Sequence, residues 1–238
     1  VKDSRVQVAA VILSHAPSPN RSRTWRRKLQ KTLSIGLAGA INGVRMRSWY
    51  ADTESGDLFE LAADCGVPVF ETSFTNSDET RQLFREAHVE LGLSLGNGYI
   101  PPSVFNIPTY GMVNVHTEVL PAFQGAQSVI WPIYEGVSEV GFTIHQVNAR
   151  IDAGDILLRK SMPMQLHSTL RATVECNMDR IRRLVPDAVC EVCANYVALK
   201  STAQCQNGGR RYTTPSIWQY LRMKRNHSRM YRSSPQKQ

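Results

Sequence analysis

Gly111-Met112-Val113-Asn114-Val115-His116-Thr117-Glu118-Val119-Leu120-Pro121 alternates apolar and polar side chains over its first half, which is the signature of a β-strand. Val113 and Val115 then point to one face, and Asn114 and His116 to the other. An amide and an imidazole thus emerge side by side, shortly before Pro121 ends the run and Gly125 offers a turn. Open α/β sheets collect their ligands at such carboxyl ends of strands. Farther along, Asp152 sits in the turn-like Ile151-Asp152-Ala153-Gly154-Asp155, which closes a second apolar strand running from Gly141 to Val147. If the three side chains converge, the amide can donate to a developing oxyanion. The imidazole can then carry a proton, and the carboxylate can orient it.

Working outward, Val6 to Leu13 reads as a short buried strand rich in β-branched residues. His15 falls in the loop after it and reads as an ordinary polar loop residue. Ser22 to Leu33 has the spacing of a basic helix, with Trp25, Leu29 and Leu33 on one side. Ile35 to Gly43 is rich in Gly and Ala but lacks the spacing of a phosphate loop, so a small-residue helix or connector is expected. Helices are expected at Asp57 to Cys65 and at Ser77 to His88, the latter capped by Ser77 or Asp78. Strands are expected at Val67 to Phe70 and Val89 to Leu95. This alternation predicts a parallel α/β sheet with flanking helices.

After the central strand, Gln127 to Glu135 reads as a helix closed by Gly136, with Pro132 demanding a kink or a late start. A further strand follows at Ile156 to Met162. Ser168 to Leu199 is expected to be largely helical, interrupted at Pro186, and the tail beyond Met223 to be flexible.

The chain of 238 residues is long enough for one domain with an appendage. No apolar run approaches the roughly 20 residues of a membrane span. The first residues, Val1 to Arg5, do not resemble a signal peptide. Five cysteines, an odd number, do not form a disulfide framework and point to the reducing cytoplasm. Cys190-x-x-Cys193 without a second pair is a poor zinc site, and no metal is expected. The net charge of +8 gathers at the ends: residues 21–47 hold eight basic residues and no acid, and so do residues 206–238. Such ends suit contact with phosphates, or equally a solvated face that keeps the protein soluble.

The ordered series Asn114-x-His116-x3-Leu120-Pro121-x3-Gly125, then Gly141-x-Thr143-x-His145, then Asp152-x-Gly154, resembles the folate-dependent formyltransferases. That family includes the glycinamide ribonucleotide, methionyl-tRNA and sugar N-formyltransferases. The resemblance covers roughly residues 6–165. It implies a Rossmann-like, open, mostly parallel sheet with flanking helices, apparently lacking the family's first strand and helix. Either the sequence is truncated at its N-terminus or the sheet is built without that edge. It further implies a catalytic domain over residues 1–165 and a helical extension with a basic tail over residues 166–238. The chain also has no room for the C-terminal domain with which methionyl-tRNA formyltransferases grip tRNA.

The implied reaction is formyl transfer from 10-formyltetrahydrofolate to an amine, with Asn114, His116 and Asp152 as the catalytic residues. Asn97, Gly98, Tyr99 and Ile100, mostly through their backbone, and Val147 would line the folate. The loop from Val147 to Asp152 would face the pterin, and His145 would hold that loop. Where the family carries an Arg before its Gly this chain has Gln124, and where it carries a Ser two residues after the His it has Glu118. These departures touch the acceptor side. The implied acceptor is a small amine, such as an amino sugar on a nucleotide carrier. The alternatives are a methionyl-tRNA formyltransferase-like activity, hydrolysis of the same folate, and a non-catalytic module whose basic ends contact nucleic acid.

Overall fold

Hydrophobic patterning and helix caps lay out the elements of this computed structural model, which describes residues 4–15, 21–51 and 56–234. Strand β1 (Val11–Ser14) pairs in parallel with β2 (Val69–Thr72). Between them lie helix α1 (Arg21–Arg47), broken at Gly36 where φ is 75°, and α2 (Leu58–Asp64), capped by Asp57. Helix α3 (Asp78–Glu86) is capped by Ser77, whose side chain accepts from the Thr80 amide. The expected strand at Val6 to Leu13 is therefore shorter and later than the apolar run suggested. The small-residue segment after residue 35 continues α1 instead of connecting elements.

The sheet that positions the site has the order β3 (Gly92–Leu95), β4 (Met112–His116), β6 (Glu139–Gln146), β7 (Ile156–Pro163). The β3–β4 ladder is parallel, while β4–β6 and β6–β7 are antiparallel. A short helix α4 (Pro102–Phe105) joins β3 to β4. Strand β5 (Phe123–Gly125) pairs in parallel with β8 (Arg210–Tyr212), so the chain's last strand returns beside the turn after β4. The result is a mixed α/β fold with three parallel ladders and helices at its flanks.

Helix α5 (Ile130–Glu135) starts late, which seats Pro132 in its first turn where its missing N–H costs nothing, and Gly136 ends it in the left-handed conformation. Helix α6 (Leu170–Ala194) is followed by α7 (Tyr196–Ser201). The expected interruption at Pro186 does not occur. A buried stripe through Val174, Met178, Ile181, Ala188 and Val192 runs along one face, and its packing outweighs one lost backbone hydrogen bond at an exposed proline. The core joins this stripe to Val113, Val115, Ile133, Phe142 and Ile144.

The chain beyond Met223, expected to be a flexible tail, instead continues helix α8 (Ile217–Ser233), and residues 235–238 lie outside the described residues. Ser216 and Gln219 close a reciprocal capping box at its start. Tyr220, Met223, His227 and Met230 then form an inward stripe among the arginines. Met223 is fully buried, and the His227 ring meets the Thr173 hydroxyl at 2.8 Å. Among the described residues, no helix is long and apolar enough to cross a membrane.

Candidate active site

Register decides which polar groups meet. The antiparallel β4–β6 ladder sets Asn114 directly opposite His145, and His116 opposite Thr143. Directly opposed residues share a face of the sheet. The Asn114 Nδ2 lies 3.3 Å from His145 Nε2, and His145 Nδ1 donates to the Gln146 carbonyl at 2.8 Å. With Nδ1 carrying the proton, neutral Nε2 accepts from the Asn114 amide. Burial pushes the His145 imidazole below its ordinary pKa, which keeps it in this acceptor form. One Asn114 N–H is thereby anchored, and the other remains for a ligand.

His116 is almost wholly buried, and its Nε2 donates to the Phe123 carbonyl at 2.8 Å. This anchor turns Nδ1 toward Asp152, whose Oδ1 is 3.7 Å away. The same Oδ1 lies 3.8 Å from His145 Nε2. Its other oxygen, Oδ2, accepts from the Gly125 amide at 3.0 Å. Asp152 adopts a positive φ of 53°, a conformation a short polar side chain tolerates in a tight turn. Carboxylate, two imidazoles and an amide therefore form one continuous polar cluster, held by backbone groups from β5 and β6.

The two glycines in this frame have steric reasons. Gly154 lies so close to the Gln146 carbonyl that any Cβ would collide with it, and the hairpin carrying Asp152 could not close. Gly125 has φ of 105°, and a Cβ there would strike the Tyr212 carbonyl of β8. Gly125→Ala is expected to destabilise the protein by about 1–3 kcal/mol, from backbone strain plus overpacking. Urea denaturation would read this directly, and an unchanged midpoint would contradict it.

A cavity of about 530 Å³ opens over the cluster. Asn114, His116 and Asp152 line it, and so do Asn97, Gly98, Tyr99, Ile100 and Val147. All the residues assigned to catalysis or to the folate thus reach one space. Asn97 is tied down on both sides: its Nδ2 donates to Ser94 Oγ at 3.3 Å, and its Oδ1 accepts from Ser14 Oγ at 3.4 Å. Ile100 packs with Val104 and Met112 and lines the cavity. Tyr99 is half exposed at the rim.

Glu118 and Gln124 do not line the cavity. The Gln124 amide donates to Gln206 Oε1 at 3.4 Å. Glu118 is buried, with Oε1 accepting from the Val129 amide and Oε2 unpartnered among the described residues. Burial pushes its carboxyl up to about 8. Neither position touches the cavity directly.

Three further contributors complete the frame, in roles that the sequence did not specify. His145 orients Asn114 as well as its own loop. Thr143 is fully buried, with its hydroxyl donating to the Glu118 carbonyl at 2.8 Å and accepting from the Leu120 amide at 3.0 Å, which fixes the segment after His116. Strand β8 and the two residues after it bring Arg211, Tyr212, Thr213 and Thr214 to the cavity from far along the chain. The Gly141-x-Thr143-x-His145 spacing marked the first two. The Tyr212-x-x-Pro215-Ser216 segment, which resembles one that packs back on the core in short formyltransferases, marked the third without its strand pairing.

The family described as formyl transferase matches residues 50–192, more than half of the chain. A methionyl-tRNA formyltransferase of Marinobacter nauticus is 32% identical over 111 residues, covering 46% of this chain and 36% of that protein. The chain spans less than half the length of the curated relatives it matches. Among solved structures, a sugar N-formyltransferase from a Shewanella species superposes with a TM-score of 0.51 at 17% identity, covering 91% of this chain and 87% of that one. HypX from Aquifex aeolicus in complex with tetrahydrofolic acid gives a TM-score of 0.51 at 18% identity, covering 70% of this chain and 30% of that one. At such identities the structural likeness speaks for the fold.

Proposed function

Because this chain belongs to the formyl transferase family, we propose that it moves a formyl group from 10-formyltetrahydrofolate to an amine. The observation that supports this most is the convergence of Asn114, His116 and Asp152 at the floor of one cavity. In this reading the amine nitrogen bonds to the formyl carbon as the bond from that carbon to the folate nitrogen breaks. One amine proton passes to the leaving nitrogen. The free N–H of Asn114 and a protonated Nδ1 of His116 donate to the oxygen as negative charge grows on it. Asp152 faces that same Nδ1 and serves as the station through which the proton passes.

The residues suit the donor. Gly98 has open space where a side chain would stand, which lets a flat ring approach backbone. The loop after β3 makes one wall of the donor space and the Val147 loop the other. The volume falls within the usual range for small-molecule sites. Five free cysteines suit a reducing cytoplasm. The acceptor is a small amine in this reading, with residues 166–238 as an extension that completes the cavity wall.

The test is tetrahydrofolate release from 10-formyltetrahydrofolate, with and without a pool of candidate amines. Amine-dependent release is expected, and His116→Ala should lose roughly 10²-fold or more of it. Release that needs no amine would replace transfer with hydrolysis. Neither release nor folate binding would sink the reading.

A further inference from the structure

Helix α1 has two faces of opposite use. Beyond its break at Gly36, residues Gly39, Asn42, Gly43 and Met46 recur at the spacing of one helical face, and all are buried. This face meets the start of α8. A Cβ on Gly39 would come within 3.2 Å of the Ser216 backbone, and Arg45 Nη2 donates to the Tyr220 hydroxyl at 2.6 Å. Leu37, Ile41 and Val44 recur at helical spacing on the opposite face, where they are 70%, 64% and 65% exposed. Leu33, just before the break, is 75% exposed. Side chains of this kind normally fill a core. A contiguous run of them on a surface marks a docking face.

Charge says what docks there. Residues 21–47 contain eight basic residues and no acid. Arg47 lies exposed one turn after Val44. Two copies meeting through this helix would bring like charges together, so the complementary surface is anionic and is not a second copy. The stripe is also a ridge on one helix, which inserts into its partner, where a groove would receive a segment. Helix α8 repeats the pattern. Trp218 and Leu221 lie exposed on the side away from buried Met223, and the exposed Arg225, Arg229 and Arg232 continue that side. A basic helix with large apolar side chains on its open face is suited to lie in the headgroup plane of a membrane, a depth that Trp also favours.

We propose that α1 docks this protein on a bilayer surface that carries anionic phospholipids. The helix lies flat, with Leu33, Leu37, Ile41 and Val44 at the acyl boundary and Arg47 beside the headgroup phosphates. The attachment is peripheral and does not depend on the formyl-transfer reading.

The experiment sediments the full chain with vesicles of phosphatidylcholine alone, or of phosphatidylcholine and phosphatidylglycerol in equal parts. The wild-type protein should bind the mixed vesicles, bind the neutral ones less, and lose binding as salt is raised. The triple variant Leu37→Gln, Ile41→Gln, Val44→Gln should bind the mixed vesicles about tenfold more weakly or worse, because binding scales with the apolar area inserted. Its thermal midpoint should stay near that of wild type, since the three positions are exposed and Gln is a good helix former. Arg47→Glu should weaken binding to the mixed vesicles about fivefold or more and leave neutral vesicles unaffected, and it carries the test alone if the triple variant unfolds. No binding of wild type to the mixed vesicles would overturn the proposal, and so would wild-type binding by both variants. Equal binding to neutral and mixed vesicles would overturn the charge argument that selects this partner. A wild-type dimer in vesicle-free buffer that the triple variant dissociates would assign the stripe to a second copy and equally overturn it.

Discussion

Asp152→Asn should leave a folded protein whose formyl transfer falls by roughly 10²–10⁴-fold, the usual range for loss of a positioned acid–base group. The substitution is nearly isosteric. Its carbonyl oxygen can still accept from the Gly125 amide, the bond that Asp152 Oδ2 makes at 3.0 Å. Its NH2 group would then face His116 Nδ1 and His145 Nε2, where Asp152 Oδ1 now lies at 3.7 and 3.8 Å. An amide donor there satisfies Nδ1 in its unprotonated form and blocks the proton it would otherwise exchange. Steady-state turnover together with a folate-binding titration separates the two effects. Binding should persist while turnover collapses. A variant that turns over normally would remove Asp152 from the reaction.

The second large effect concerns stability. The buried Glu118 carboxyl is pushed up to about 8 from an ordinary value of 4.5 by desolvation, and the hydrogen bonds from Val129 and Val119 only partly oppose this. A raised carboxyl holds its proton in the folded state at pH values where the unfolded chain has released it. Stability is then highest below about pH 4.5 and falls as pH rises toward about 8, by about 1.4 kcal/mol per unit. Glu118→Gln removes that penalty. The amide oxygen keeps the Val129 bond, and the NH2 occupies the position of Oε2, where the neutral acid already carries an unpaired O–H. Glu118→Gln is therefore expected to be more stable than wild type by roughly 3 kcal/mol at pH 7, with the gap closing near pH 4.5. Denaturant unfolding at several pH values would show it. Parallel curves for the two proteins would mean that Glu118 is not the titrating group.

Alternation over residues 112–116 made Asn114 and His116 legible as neighbours, and the turn chemistry around Asp152 marked a second arm. Their meeting was legible only through the ordered motif series, because strand periodicity carries no register. The pairing of Asn114 with His145 is a property of the β4–β6 ladder, and so is the role of His145. Helix α8 was hidden by composition. Its arginines read as a loose basic tail, although Ser216 and Gln219 had the spacing of a capping box and Met223, His227 and Met230 the spacing of a buried face. The β5–β8 ladder was illegible for a simpler reason. Strands of three residues are too short for any period to show, and their partners lie far apart in the chain.

That ladder has a consequence for how such a gene can decay. Every residue assigned to chemistry lies before Gly154, so a reading frame ending at codon 208 would still encode Asn114, His116 and Asp152. It would nevertheless lose the strand laid against Gly125, and with it the wall that sets the amide on which Asp152 rests. An inventory of motifs would count that shortened product as intact. The presence of Arg210 to Tyr212 is the better criterion for telling a working copy from a relic.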